Sequence, residues 1–153
     1  MNRFVVRDRL QTSSRCNPTL VRRPGTIATH VTDKPHRGSV VLLGVEWQPR
    51  ALIRAQLIED GFDVLATDSW PMMRHLVRSR KPRLAIVDLQ GLAEPRAVLD
   101  DLAVLMTPAR VLVLAAAGTL TRVEIERPGF RVLQRPIAIG DVVKAATAIC
   151  TTS

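Results

Sequence analysis

The 153-residue sequence is 46% apolar and 24% charged, ordinary globular proportions that exclude a disordered polymer and supply a core without disulfides. No apolar run approaches the roughly 18 residues of a membrane span. The net charge of +8 is concentrated at one end, because residues 1–38 hold eight of the 22 basic residues and only two of the 14 acidic ones.

That basic segment lacks sustained periodicity and is interrupted by Pro18, Pro24, Pro35, Gly25 and Gly38. It predicts a mobile tail able to make weak, non-specific contact with nucleic acid. Its apolar piece, Phe4-Val5-Val6, is too short for a secretory signal. Cys16 and Cys150 form no C-x-x-C pair, and His30, His36 and His75 lie at no zinc spacing from them. The thiols are read as unpaired, as in a reducing cytoplasm.

From Ser39 the pattern changes. Ser39-Val40-Val41-Leu42-Leu43 is the continuous apolar run of a strand buried on both faces. Pro49 opens a helix through Leu52, Ile53 and Leu57 that ends at Gly61. Phe62–Ala66 is a second strand, and Asp68 or Ser69 caps a helix with Pro71 in its first turn and Lys81-Pro82 as its stop. Leu84–Asp88 is a third strand, apolar until its last residue. Leu92–Leu105 is a helix and Val111–Leu114 a fourth strand. Thr119–Arg127 is weakly patterned, and Phe130–Leu133 is a fifth strand followed by Arg135-Pro136. Gly140 or Asp141 caps a last helix, Val142–Cys150. Strands alternating with helices predict an α/β fold with a doubly wound parallel sheet over residues 39–150. Ligands of such sheets sit at the carboxyl ends of the strands, here Gly44–Glu46, Asp88, Ala115–Ala117 and Arg135.

An acid closing the third strand, Ile86-Val87-Asp88, is joined by Gly61-Phe62-Asp63-Val64, by Lys81-Pro82 just before the acid strand, and by Arg135-Pro136 after the fifth strand. Together these make residues 39–150 resemble the receiver domain of bacterial two-component response regulators. The resemblance implies a five-stranded sheet of order 2-1-3-4-5, and Asp88 in the place of the phosphoacceptor aspartate. It also implies an acidic pair holding magnesium at the first strand end, a hydroxyl at the fourth, a lysine at the fifth, and an aromatic on the fifth strand that switches with the hydroxyl.

Most of that set is missing. Gly44 and Val45 replace the acidic pair, Ala115–Ala117 the hydroxyl, Val132 the aromatic and Arg135 the lysine. Glu46 is one residue along and is expected to face solvent. Only if it swung back to join Asp88 would a magnesium site exist, and otherwise no cofactor is expected. Arg135 keeps a charge beside Asp88, with which it is expected to form a lasting ion pair. No nucleophile–base pair or glycine-rich phosphate loop appears, so no enzyme activity is expected. The sequence is read as a stand-alone, cytoplasmic receiver acting through protein contacts, with a sensor kinase or signalling protein as partner. A working phosphoacceptor at Asp88 is the alternative, and a nucleic-acid-associated protein using the tail is a second. Val142, Val143, Ala146 and Ile149 on the last helix are candidates for a partner or homodimer interface.

Overall fold

A computed structural model describes residues 34–152. The expected tail, with Cys16 and His30, therefore lies outside the described residues except at its end. That end is held in place. The Arg37 backbone N–H donates to Gly61 O at 3.0 Å, its guanidinium reaches Thr147 Oγ1 at 3.0 Å, and Gly38 already belongs to the first strand.

Chain order is β1 (Gly38–Leu43), α1 (Trp47–Glu59), β2 (Phe62–Thr67), α2 (Trp70–Arg80), β3 (Leu84–Asp88), α3 (Pro95–Leu105), β4 (Val111–Ala115), α4 (Arg122–Glu126), β5 (Arg131–Gln134) and α5 (Ile139–Thr151). The strands form one parallel sheet of order β2-β1-β3-β4-β5, as expected. Register aligns Val40 with Val64 and Leu84, and Ile86 with Leu42 and Leu112. Alternate side chains then divide two apolar layers. Val40, Leu42, Ile86, Leu112 and Leu114 pack beneath α1 and α5. Val41, Leu43, Ala85, Val87, Val111 and Val113 pack beneath α2, α3 and α4. Burial on both faces is why β1, β3 and β4 are written in unbroken apolar residues.

Several boundaries differ from the expected ones for local reasons. α3 begins at Pro95, not Leu92, because proline lacks the N–H that a first helical turn leaves unused. α4 is a true helix where the pattern is weak. Thr121 caps it, its hydroxyl accepting from the Glu124 N–H while the Glu124 carboxylate accepts from the Thr121 N–H. α5 starts at Ile139, which puts Asp141 inside its first turn, where a carboxylate favours the helix dipole. β5 runs one residue further, to Gln134.

Gly61 ends α1 with φ +94°, and a Cβ there would lie 3.0 Å from Pro35 O. Conformation and space both demand glycine at that turn.

The interface expected on α5 is corrected. Val142, Val143, Ala146 and Ile149 are all buried and belong to the layer formed with β1, β3, β4 and α1. The half-circumference of small apolar residues on this helix is its core face, and these four side chains are not open to a partner.

Candidate functional site

The site lies where β1, β3, β4 and β5 end. Asp88 is the last residue of β3, and the ladder continues past it, with the Leu89 N–H donating to Leu114 O at 3.0 Å. Its carboxylate is 4% exposed and is one of two buried polar or charged residues among those described. Burial of an anion requires partners, and both oxygens have one. Oδ1 accepts the Gln90 backbone N–H at 3.0 Å, the local turn an aspartate favours. Oδ2 accepts from Arg135 Nη2 at 2.5 Å, across the sheet from the residue after β5. The Arg135 side chain is 31% exposed, so this charge-assisted bond is sheltered but not sealed. The sequence expectation of an Asp88–Arg135 ion pair is met in geometry.

At the end of β1 a second guanidinium takes the ground where the resemblance implies acids. Arg50, one turn into α1, folds back and its Nη1 donates to Gly44 O at 2.5 Å and Val45 O at 3.2 Å. The fit is close: a Cβ on Gly44 would lie 3.4 Å from Arg50 Cβ and 3.8 Å from Asp88 Cβ. Nothing in the sequence pattern singled out Arg50. The available signal was its place one turn after a strand end whose carbonyls have no side-chain partner of their own.

Glu46 sits at the N-cap of α1 without capping it. It does not reach Asp88. Its Oε1 accepts from Gln90 Nε2 at 2.9 Å, so Gln90 lies between the two acids, its backbone N–H on one and its side chain on the other. Gln90 was also missed from sequence, although it holds the second position after a turn-forming aspartate. These donors fit magnesium poorly. The ion requires a near-octahedral oxygen set. Here the two carboxylates are engaged separately, two guanidinium groups stand close by, and the described residues contain no group of three or more His, Cys, Asp or Glu able to hold a metal.

At the end of β4, the Thr119 hydroxyl donates to Ala116 O at 2.9 Å, which commits the nearest hydroxyl to its own turn. Ala115, Ala116, Ala117 and Gly118 leave a cavity of about 260 Å³ beside Gln134 and Arg135. Val132, at the place of the expected aromatic, aligns with Val113 and is half-buried against the layer beneath α2, α3 and α4. A branched aliphatic side chain there has no ring to rotate between two stations. Cys150 lies at the opposite end of the sheet, where burial raises its thiol pKa above the ordinary value. It takes no part in the site.

No protein-family model matches the sequence, and no curated protein matches it. Solved structures do. A signal receiver domain from Vibrio parahaemolyticus superposes with a TM-score of 0.67 at 19% identity, over 76% of this chain and 92% of that one. The receiver domain of the Francisella response regulator 1452 gives 0.66 at 16% identity, over 75% and 98%. A CheY-like receiver domain protein from Methanospirillum hungatei JF-1 gives 0.64 at 13% identity, over 76% and 97%. The chain has the receiver-domain fold. No helix among the described residues is long and apolar enough to cross a membrane.

Proposed function

We propose that this domain acts in phosphorelay signal transduction as an atypical receiver, regulating a protein partner while Asp88 stays unphosphorylated. One observation carries the reading: the Asp88 carboxylate is held on both oxygens, by Arg135 and by the Gln90 N–H. Phosphoryl transfer to a carboxylate requires a free attacking oxygen and a cation to offset the gathering negative charge. Here the attacking oxygen must first leave the Arg135 guanidinium, and the first strand end offers Arg50 instead of metal-binding acids.

The Arg135 guanidinium already occupies Asp88 in the unmodified domain, with its Nη2 donating to Oδ2. The domain is thereby held in one state, and its output depends on whether a partner is bound. Exposed apolar side chains around the site include Val45 at the end of β1, 39% exposed, and Trp47 and Leu52 on α1, 72% and 51% exposed. Leu52 also lines a cavity of about 240 Å³ with Pro49, Ile53, Leu114, Arg135 and Ile137. A protein partner seated there would contact Arg135 directly.

Magnesium titration by calorimetry tests the reading. The expected result is no saturable binding in the wild type or in Asp88→Asn. A saturable site that disappears in both Asp88→Asn and Glu46→Gln would overturn it in favour of a working phosphoacceptor.

A further inference from the structure

A second charged surface lies away from the strand ends. Between Ser69 and Val87 there is no Asp or Glu, while Arg74, Arg78, Arg80, Lys81 and Arg83 all fall in that stretch. Helices ordinarily mix charges at i, i+4 spacing, as α4 does with its Arg122–Glu126 pair at 2.8 Å. In α2 the matching positions, Arg74 and Arg78, are both cations. Like charges at that spacing repel, so the arrangement is unfavourable for the isolated helix. Both arginines are exposed, and neither makes an ion pair or hydrogen bond with any described residue. They line an open hollow of about 340 Å³ with Trp70, Pro71 and His75, and no carboxylate lines it. The Trp70 ring is anchored against the core layer of α2, so its remaining surface is held in place.

We propose that this hollow binds single-stranded nucleic acid, with Trp70 stacking a base and Arg74 and Arg78 meeting consecutive backbone phosphates. A cationic track beside a fixed aromatic ring is the combination such strands use, since every base has a stacking face and every link a charge. An anionic membrane fits less well. The apolar side of α2, Met73 and Val77, is buried in the core, which leaves Met72 as the helix's one strongly exposed apolar anchor. An acidic peptide would satisfy the arginines but leave the indole without a planar partner. This proposal is independent of the reading of Asp88.

The test uses the full chain, a fluorescein-labelled oligothymidylate, and Trp47→Phe so that Trp70 is the remaining tryptophan. Binding is expected to quench Trp70 emission. Arg74→Gln/Arg78→Gln is expected to weaken binding about tenfold or more in low salt. It should also flatten the slope of log affinity against log salt by about 1.4, near 0.7 for each lost phosphate contact on a single strand. Arg74→Lys/Arg78→Lys should keep most of the affinity, which separates lost charge from lost fold. Unchanged affinity in the Gln pair would place binding elsewhere in the chain and overturn the proposal. So would binding without Trp70 quenching, or equal binding to polyglutamate or to phosphatidylserine vesicles.

Discussion

The two flanks of the sheet are built to different standards. On one side β1, β3 and β4 are almost wholly buried, and α1, α2 and α3 run eleven to thirteen residues each. On the other, β5 has four residues with exposed ends, and α4 has five residues of which Ile125 alone is buried. The fold rests on the first flank. The resemblance to receiver domains puts the switching aromatic on the second, where this chain has Val132, and the hydroxyl facing it at the end of β4, where this chain has alanines. The scaffold is intact where packing alone decides it, and the divergence is confined to the thin flank and the strand ends.

The largest expected effect probes the thick flank. Ile86→Ala, in the middle of β3 and fully buried, should cost about 4 kcal/mol in urea unfolding, and Leu133→Ala in half-buried β5 about 1 to 2. Equal losses would erase the distinction. Next is the ion pair: Arg135→Ala leaves a buried carboxylate short of its partner and should cost about 3 kcal/mol. Asp88→Asn should cost less, because the amide oxygen still accepts a hydrogen bond. A smaller effect follows at α4, where Thr121→Ala removes the cap and should cost about 1 kcal/mol.

The smallest effect is a pH dependence. Hydrogen bonds from the Thr121 backbone and hydroxyl, then the Arg96 guanidinium, lower the Glu124 pKa from 4.5 to about 2. Because the folded value is depressed, the stabilisation is present above the unfolded value of 4.5 and is lost as pH falls toward 2. Glu124→Gln should therefore make the acid limb of stability shallower in that window, read by thermal melts across pH. An unaltered limb would mean that α4 contributes nothing to acid sensitivity.

The central strands were legible in the sequence because a strand buried on both faces needs continuous β-branched and aliphatic residues, a pattern that survives without context, whereas the sheet order came only from the resemblance to receiver domains. Asp88 and Arg135 were legible because one closes β3 and the other follows β5, where the resemblance to receiver domains places an acid and a cation. α4 was not, since a helix shorter than two turns shows little periodicity and its stability comes from the reciprocal Thr121–Glu124 cap. The α5 residues misled for a related reason: small apolar side chains read as an exposed seam until the layer that covers them is known. Arg50 and Gln90 were invisible because each acts through a backbone turn, Arg50 on the carbonyls of Gly44 and Val45 and Gln90 through its own N–H on Asp88.

The occupied state of Asp88 is tested most directly by intact-mass measurement after incubation with magnesium and a small phosphodonor. The wild type should show no stoichiometric gain, while Arg135→Ala, which frees one carboxylate oxygen, should show at most a trace. A clean, hydroxylamine-labile gain of one phosphoryl group in the wild type, absent in Asp88→Asn, would contradict it.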